Sequence, residues 1–420
     1  MEKIALLFPG QGSQYIGMGK SLHEEYAIAR QTFEEANDVL GFDLSALCFD
    51  GSYSDLGKSR IVQPAMLTAS ISAYRVYMQE VGIEPEFSAG HSLGEYTALT
   101  AGGAISFADA LRLVRQRGEL TQLLIDRGEG AMSIIDSISM EELEQVCLEI
   151  SPYGDELSIS CRNAPKQAAI SGQAAAVAAA EERIGQSGGV ATPLFMSAPF
   201  HSPMMAEVAM KLKETLQSIP YYPLRWPVIS NVTGRPYPSH SSIAEMLALQ
   251  LIQPVQWQAT MQYLKRFGVT TTIELGPKNV LSALVEENVS GTRAYSFDQR
   301  MDRQQLIGSL NAMEELKKHN PTFLGRCLAI AAATPNANDN QEAYRQGVLE
   351  SYQRLEQMQE QTERSGVPLS YEQMRTALDL LLTILRTKRI SEEEQQEWVH
   401  LLREETQTYY TLADYSVALA

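Results

Sequence analysis

A serine stands between two glycines at the point where a predicted strand turns into a predicted helix. The segment FSAGHSLGEYTAL, residues 87–99, contains the pattern G-x-S-x-G with Ser92 at its centre. Glycines on both sides of the serine permit the sharp turn that exposes its hydroxyl, and the first N–H groups of the helix can stabilise an oxyanion. We therefore expect Ser92 to be a nucleophile. The segment alone leaves open whether the acyl acceptor is water, as in an esterase, or another molecule, as in a transferase.

A serine nucleophile needs a general base, and the chain contains six histidines. His91 adjoins the serine, but on the turn its side chain is expected to point away from it. His201 lies in the loop segment SAPFHSPMM and is, on its residues alone, either a surface histidine or the base. The α/β hydrolases carry an acidic residue between the serine and the histidine along the chain. No aspartate of this stretch lies in a convincing loop at a strand end, which argues against a plain hydrolase.

The segment FPGQGSQYIGMG, residues 8–19, is rich in glycine and follows the first predicted strand. It lacks the third glycine of a dinucleotide-binding loop at the required spacing, and it does not match the full Walker pattern either. A phosphate loop of either type is therefore a poor fit. Gln11 in this segment could instead approach the serine.

Three arginines follow one another on a helix predicted at residues 107–124. Arg112 and Arg115 lie one turn apart, whereas Arg117 lies on a different face, beside a glycine. By default, arginines on such a helix are solvated. An arginine buried beneath a pocket would instead bind a carboxylate through two parallel hydrogen bonds.

The elements that would hold these residues alternate between strand and helix up to about residue 127, as in α/β folds. IALLF at residues 4–8 and FSAG before the serine are predicted strands. Predicted helices occupy about residues 21–40, 63–81, 93–101 and 107–124. We take Pro64 as a first-turn residue of the second of these helices. Strand patterns resume in PLRWPVISN and GVTTTIELGP, after a stretch of different character.

That stretch, residues 128–196, follows the order β-α-β-β-α-β of a ferredoxin-like unit. Its first helix is predicted to begin at Ser139, with Glu142 three residues later completing a capping box. The expected fold class is therefore α/β, with a hydrolase-like catalytic core at residues 1–127 and 197–310 around a parallel sheet. The ferredoxin-like subdomain is inserted into that core.

Residues 320–420 are predicted to form a polar, helical extension, reached through the linker-like segment AAATPNANDN. Its helices are predicted to begin at the capping residues Asn340, Ser370 and Ser391. Apolar residues recur with helical spacing at positions 374, 377, 378, 381, 382 and 385, so one face of that helix is expected to be buried. The role of the extension stays open between a helical appendage of the core and a docking element for a partner.

The composition narrows the classes of function. The chain has 420 residues, with 34 Lys and Arg against 51 Asp and Glu, and a net charge of −17. Such a charge argues against binding to nucleic acid or to an anionic membrane surface. No apolar run reaches the ~18 residues of a membrane span, and IALLF is too short for a signal-peptide core. The four cysteines are scattered without metal-binding spacing, which predicts reduced thiols, no metal site and a cytoplasmic protein.

Seven segments occur in the order found in one enzyme family: LLFPGQGSQYIGMG, VQPAMLTAS, GHSLGEYTAL, LVRQRGELTQ, SAPFHSPMM, QPVQW and IELGP. By these segments the chain, over about residues 1–290, resembles the malonyl-CoA:acyl carrier protein transacylases. It also resembles the acyltransferase domains of polyketide synthases, especially the stand-alone enzymes that act in trans on synthases lacking such a domain. LGRCLAIAAATPNANDNQEAYRQGV resembles the segment that follows the acyltransferase in some bacterial synthase-associated proteins, which favours polyketide over housekeeping fatty-acid synthesis.

The resemblance implies a role for each residue of the catalytic centre. Ser92 would carry the malonyl group as an ester, and His201 would act as general base and acid. Gln11 and the backbone N–H of Leu93 would form the oxyanion hole. In this family a backbone carbonyl orients the histidine, and the matching residue is Gln250. A carbonyl in that position would explain why no triad acid is found.

The resemblance also implies which residues bind the acyl group. Arg117 would pair with the free malonyl carboxylate, and Phe200 would fill the space that a methylmalonyl branch needs. Gln63 and Asn163 match polar positions that line the site. Two segments depart from the family pattern: Cys161 replaces the first asparagine of Asn-x-Asn, and GPKNVL stands for GPGKVL. These departures leave the contacts to coenzyme A and to the carrier open.

The implied reaction moves malonyl from malonyl-CoA to the phosphopantetheine thiol of an acyl carrier protein domain of a polyketide or fatty-acid synthase. No cofactor and no metal are implied, and we expect a monomer without nucleic-acid or membrane partners. The net charge of −17 is unfavourable for binding acidic carrier proteins, because charges of the same sign repel each other. Docking therefore requires either a local basic patch or an acidic excess that lies elsewhere, for example in the extension.

Three alternatives remain beside malonyl transfer for polyketide synthesis. The first is an acyl hydrolase that clears carrier proteins, and the second is a housekeeping fatty-acid malonyl transacylase. The third is an inactive docking module, which should lack Ser92 or His201. A hydrolase of neutral acyl groups should lack Arg117, because a buried charge without a partner is costly.

Overall fold

The computed structural model describes residues 3–128, 130–195, 197–319, 322–365, 367, 369–406 and 408. The chain divides into two compact units, one ending at Ile307 and the other starting at Gly308. The division lies within a helix, Arg300–His319. The predicted domain limits at residues 1, 196, 320 and 420 lie outside the described residues. The limits of the individual domains therefore stay predictions.

The first unit contains both sheets. Its strands are β1 (Ile4–Phe8), β2 (Phe87–Gly90), β3 (Ala131–Asp136), β4 (Leu157–Ala164), β5 (Gln167–Gly172), β6 (Val190–Pro193), β7 (Val228–Ser230), β8 (Arg235–Pro236), β9 (Thr271–Glu274) and β10 (Arg293–Ser296). Its helices are α1 (Lys20–Glu25), α2 (Ala27–Leu40), α3 (Leu44–Asp50), α4 (Tyr53–Leu56), α5 (Ser59–Glu80), α6 (Leu93–Ala101), α7 (Phe107–Arg127), α8 (Met140–Ile150), α9 (Ala174–Gln186), α10 (Ala206–Ser218), α11 (Ile243–Gln250), α12 (Trp257–Arg266), α13 (Val280–Asn288) and the part of α14 (Arg300–His319) that precedes Gly308. Short 3₁₀ turns lie at Pro203–Met205 and His240–Ser242.

The larger sheet has the strand order β10-β9-β1-β2-β7-β8. All neighbours are parallel except β7 and β8. The run IALLF of β1 is buried along its whole length, as expected of a central parallel strand covered on both faces. In the register between β1 and β2, Phe8 lies opposite Gly90. The loop after Phe8 and the turn after Gly90 therefore leave the sheet side by side, at the edge where parallel sheets place their ligand sites.

The second sheet has the order β4-β5-β3-β6, and all its neighbours are antiparallel. Helices α8 and α9 contribute Leu143, Val146, Val177 and Ile184 to a core with strand residues of this sheet. Ser139 caps α8 in the predicted capping box with Glu142. This strand order with its two helices is the ferredoxin-like arrangement. The predicted fold class, α/β with a parallel sheet, an inserted ferredoxin-like unit and a helical C-terminal part, is confirmed.

The predicted start of the second helix was wrong. We placed Pro64 in its first turn, whereas α5 begins at Ser59 and contains Pro64 in its interior. Contacts with α7 stabilise the additional turn. The Ser59 N–H donates to Gln122 Oε1 at 2.7 Å, and Gly118 leaves room for the Ser59 carbonyl to approach α7. Sequence spacing did not reveal these partners because they lie in another helix.

The helix predicted at about residues 21–40 is two helices. The break falls at Tyr26, whose backbone is extended with φ −122° and ψ 130°. The Arg30 side chain donates to the carbonyls of His23 and Glu24, at 3.0 and 3.2 Å. Arg30 thus satisfies acceptors that a continuous helix would have used itself.

The second unit is helical within its described residues. Its helices are α15 (Phe323–Ala333), α16 (Gln341–Tyr344), a π-turn (Arg345–Leu349), α17 (Glu350–Ser365), α18 (Tyr371–Thr387) and α19 (Glu392–Glu405). The side chains of Asn340, Ser370 and Ser391 accept hydrogen bonds at the helix starts, as their sequence positions predict. Among the predicted apolar positions of α18, five are buried: Ala377, Leu378, Leu381, Leu382 and Leu385. They form one core with residues of α15, α17 and α19.

In the part of the chain that the structure covers, no helix combines the length and the hydropathy needed to cross a lipid bilayer.

Candidate active site

The turn between β2 and α6 carries Ser92 in a strained conformation. Its φ of 53° and ψ of −110° lie outside the regions that non-glycine residues ordinarily occupy. The flanking glycines are needed for packing: a Cβ on Gly90 would overlap the backbone of Gly94, and a Cβ on Gly94 would overlap the Phe8 carbonyl. The G-x-S-x-G pattern therefore reflects a strand and a helix in backbone contact, with the serine partly exposed on the turn between them.

His201 lies against this serine, although 109 residues separate the two in sequence. Its Nε2 is 2.7 Å from Ser92 Oγ, and its Nδ1 is 2.6 Å from the main-chain carbonyl of Gln250. A carbonyl can only accept, so Nδ1 carries the proton and the lone pair of Nε2 faces the serine hydroxyl. The structure thus brings together three predicted residues, and a carbonyl occupies the place where hydrolases have an acid.

The electrostatic surroundings keep His201 neutral. The pKa of His201 is lowered to about 3, chiefly by burial and also by the nearby charge of Arg117 and the His91 ring, while the bond to the Gln250 carbonyl opposes this shift. Its side chain is almost completely buried. A neutral imidazole in contact with a hydroxyl is poised to accept a proton from it.

Two further polar side chains hold the turn, and the sequence reasoning missed both of them. Asn231 accepts the Ser92 N–H through Oδ1 at 2.7 Å and donates through Nδ2 to the Gly90 carbonyl at 2.6 Å. Glu95 accepts the Asn231 N–H at 3.0 Å. A signal was present for each: Asn231 directly follows β7, the neighbour of β2, and Glu95 is the only charged residue in the apolar helix LGEYTALTA.

Arg117 is buried, with 1 % of its surface exposed. Its Nη1 donates to Gln63 Oε1 at 2.9 Å, whereas its Nε and Nη2 have no hydrogen-bond partner among the described residues. Burial lowers the pKa of the guanidinium, but an arginine keeps its proton in proteins. By contrast, Arg112 and Arg115 make ion pairs at the surface. A buried cation with two free donor nitrogens is shaped to receive a planar anion.

Aromatic rings enclose this guanidinium. Its carbon lies 5.0 Å from the ring centre of Phe200 and 5.6 Å from that of Tyr96. The Phe200 ring also lies 6.1 Å from the His201 ring, so one side chain contacts both the arginine and the base. The buried hydroxyl of Tyr96, which the sequence reasoning did not single out, interacts with the Arg117 guanidinium and forms no closer hydrogen bond among the described residues.

Gln63 orients the arginine. Its Oε1 accepts from Arg117, and its Nε2 lies 3.2 Å from Ser59 Oγ and 3.4 Å from Thr121 Oγ1. Gln63 is itself fully buried. Its amide is thereby held with the oxygen toward the arginine, which fixes the plane of the guanidinium.

The predicted oxyanion donors lie on two adjoining segments. Gly10 contacts the turn so closely that a Cβ on it would touch the carbonyl oxygen of His91. This contact places the loop that contains Gln11 beside the serine. The backbone N–H groups of Gln11 and Leu93 donate to no acceptor among the described residues. Two free N–H groups next to a nucleophile match the requirement of an oxyanion hole.

The remaining predicted residue, Asn163, contacts the other side of the turn. Its Oδ1 is 2.9 Å from Nε2 of His91, so the His91 ring is turned away from the serine, as expected. Cys161, at the departure from the Asn-x-Asn pattern, lies buried in β4. The second departure, Lys278, adopts a left-handed backbone with φ 64°, at a position where the family pattern has glycine.

The described residues contain no group of three or more His, Cys, Asp or Glu side chains placed to hold a metal ion. Cys48, Cys147, Cys161 and Cys327 are buried free thiols.

The chain is similar to known acyl transferases. Residues 5–332 match the family of acyl transferase domains. A malonyl CoA-acyl carrier protein transacylase of Bacillus subtilis is 37% identical over 395 residues, which are 94% of this chain and 99% of the relative. A second one, from Bacillus subtilis strain 168, is 44% identical over 288 residues, 68% of this chain and 90% of the relative. A malonyl-transacylase solved in complex with a type II PKS acyl-carrier protein superposes with a TM-score of 0.71 at 36% identity, covering 73% of this chain and 100% of the neighbour.

Proposed function

This chain belongs to the malonyl-CoA:acyl carrier protein transacylase family of acyl transferases, and from that premise we propose that Ser92 and His201 carry out its reaction. The enzyme transfers a malonyl group from malonyl-CoA to the thiol of an acyl carrier protein. The transfer runs through an ester on the serine, so that each thiol enters or leaves in a separate step.

In the first step Ser92 Oγ attacks the thioester carbonyl while its proton passes to Nε2 of His201. The contact of 2.7 Å between these atoms supports the transfer. The Gln250 carbonyl stabilises the imidazolium through Nδ1–H. The backbone N–H groups of Gln11 and Leu93 hold the oxyanion of the tetrahedral intermediate. When the carbon–sulfur bond breaks, the imidazolium returns its proton to the sulfur, and coenzyme A leaves.

In the second step the thiol of the carrier's phosphopantetheine attacks the malonyl ester. His201 removes the proton of that thiol and later protonates Ser92 Oγ as the ester bond breaks. Arg117 pairs with the malonyl carboxylate throughout and fixes the orientation of the acyl group. The residues of this chain supply every proton transfer, so the reaction needs no cofactor beyond its thioester substrate.

One observation carries the assignment of malonyl as the acyl group: the two unpartnered nitrogens of the buried Arg117. A neutral acyl chain would leave these two donor nitrogens of a buried cation unpaired in a site lined by Phe200 and Tyr96, and such burial is unfavourable. A malonyl carboxylate supplies both missing hydrogen bonds and the opposite charge. The hydrolase of neutral acyl groups is therefore disfavoured.

Mixing the enzyme with malonyl-CoA and a holo acyl carrier protein tests the proposal. We expect the mass of the carrier to increase by one malonyl group at the rate at which coenzyme A is released. Without the carrier, release of coenzyme A should stop after one turnover, because the acyl-enzyme resists water. Acetyl-CoA, which lacks the carboxylate, serves as the matched control and should react poorly. Continuous release of coenzyme A in the absence of a carrier would identify a hydrolase instead.

We propose that the reaction takes place in the cytoplasm and supplies malonyl groups in trans to the carrier proteins of a polyketide synthase. The four free cysteines support the compartment. The pathway is supported by the neighbour solved with a type II PKS carrier.

The second unit of the chain has its counterpart in the Bacillus subtilis relative matched over 94% of this chain. We propose that this unit is a helical appendage rather than part of the catalytic machinery.

A chain that ends before α15 tests that assignment. The solved neighbour is covered completely by 73% of this chain, so we expect the shortened enzyme to keep malonyl transfer within about threefold for several different carriers, measured by carrier mass. Loss of transfer to one carrier, with acylation by malonyl-CoA intact, would instead make the second unit a docking element for that carrier.

A further inference from the structure

The buried carboxyl of Glu95 takes no part in the steps above, yet it contacts the residues that hold the serine and the histidine. Glu95 lies on α6 one turn after Ser92 and has no exposed surface. Its Oε1 accepts from the Asn231 N–H at 3.0 Å and from Tyr237 Oη at 2.6 Å, and its Oε2 accepts from Gln250 Nε2 at 2.7 Å. None of these three donors is a cation. Burial raises the pKa of this carboxyl to about 7. A fully buried carboxyl is costly, so its presence requires an explanation.

Gln250 connects this carboxyl to both catalytic residues. Its side-chain Nε2 donates to Glu95 Oε2 and, at 2.8 Å, to the main-chain carbonyl of Ser92. The main-chain carbonyl of Gln250 itself accepts from His201 Nδ1–H at 2.6 Å. The side chain of Gln250 thus anchors the residue whose carbonyl sets the orientation of the imidazole.

Asn231 connects the same carboxyl to the other side of the serine. The Asn231 side chain accepts the Ser92 N–H, and the Asn231 main chain donates to Glu95. Ser92 is therefore held at its N–H by one partner of Glu95 and at its carbonyl by another. A residue with φ 53° and ψ −110° persists only where its surroundings enforce that conformation.

We propose that Glu95 is a positioning residue of the transfer reaction. Through Gln250 and Asn231 it holds Ser92 in its strained conformation and His201 in the orientation in which Nε2 accepts the serine proton. The inference rests on the proposed function of the Ser92–His201 pair. Glu95 touches neither the substrate nor the reacting atoms.

Glu95→Gln is the sharpest test, because it changes one contact selectively. The amide oxygen can still accept from Asn231 and Tyr237, but the amide NH₂ then faces the NH₂ of Gln250, donor against donor. We expect the rate of coenzyme A release in the acylation step to fall by about 10²-fold, the loss typical of a misplaced reacting group. The KM for malonyl-CoA should stay within about threefold, because the hydrogen bond between Arg117 and Gln63 is unchanged.

Tyr237→Phe is the matched control, since it removes a hydrogen bond from the same carboxyl without disturbing the contact to Gln250. We expect its acylation rate to stay within about threefold of the wild-type rate. An equal loss in both variants would contradict the proposal, because it would show that the buried carboxyl acts on the fold in general. Unchanged acylation in Glu95→Gln would overturn it as well.

A substrate-free readout separates this proposal from the proposed function. The proton of His201 Nδ1 should give a far-downfield NMR resonance in the wild type and in Tyr237→Phe, and Glu95→Gln should shift or broaden it. If Glu95→Gln does not fold, Gln250→Met provides the same test, since it keeps the main-chain carbonyl and removes the side-chain link. An unshifted resonance with wild-type acylation in Gln250→Met would overturn the proposal even if malonyl transfer itself is established.

Discussion

Replacing Arg117 with alanine should lower kcat/KM for malonyl-CoA by about 10²–10³-fold. The malonyl carboxylate would then enter a buried site without its counter-ion, and leaving a buried charge unpaired costs about 3–5 kcal/mol, with about 1.4 kcal/mol for each factor of ten. The same change removes the buried cation that excludes neutral chains. With acetyl-CoA and longer neutral acyl thioesters, the variant should therefore release coenzyme A faster than the wild type does. Initial rates of coenzyme A release with both donors measure the two effects.

Arg115→Ala is the control for this prediction, because it removes an arginine from the same helix. Arg115 pairs with Glu119 at the surface and donates to the Leu40 carbonyl. Its loss should change the unfolding midpoint slightly and leave the selectivity between malonyl and acetyl unchanged. A variant lacking Arg117 that retained the wild-type preference for malonyl would show that another group binds the carboxylate.

Replacing Ser92 with alanine should abolish the covalent malonyl-enzyme. After brief mixing with malonyl-CoA and no carrier, intact mass spectrometry of the wild type should show one added malonyl group, and peptide mapping should locate it on Ser92. The alanine variant should show none, and its transfer rate should fall by about 10⁴-fold or more, as when the nucleophile of other serine enzymes is removed. Alanine lacks the oxygen that forms the ester, so no partial adduct is expected.

Ser202→Ala is the matched serine control. Ser202 adjoins His201 and is also buried, but its hydroxyl donates to the Pro199 carbonyl. This variant should keep the malonyl adduct. An adduct that persisted in Ser92→Ala and disappeared in Ser202→Ala would show that Ser202, and not Ser92, is the nucleophile.

Much of the site could be predicted from residue types and spacing. The G-x-S-x-G segment predicted Ser92 on a strand-to-helix turn because the requirement for glycine is local: only Gly90 and Gly94 let the two backbones touch. The same holds for the helix starts at Ser139 and Ser370, where one side chain caps N–H groups three residues away. Interactions between residues that are a few positions apart in the sequence can be predicted from the order of those residues.

The partners of the serine were decided by tertiary structure. His201 and Gln250 reach Ser92 from positions 109 and 158 residues away, and no periodicity of the sequence relates such segments. The resemblance to a family named both residues, but only the packing of the loops at the edge of the sheet shows how the imidazole and the carbonyl meet. The start of α5 at Ser59 has the same origin, because its first turn is held by a neighbouring helix.

The sequence by itself predicted a serine on a strand-to-helix turn, most of the strands and helices, and the presence of an arginine able to pair with a carboxylate. The tertiary structure alone decided that this Arg117 is buried with two donors free and that Glu95 is enclosed behind the serine. The physical reason is that burial sets the energetic weight of a charge. A guanidinium or a carboxylate on a solvated helix face contributes little to stability or binding. The same group buried away from water needs a partner, which is either another residue of the protein or a bound ligand.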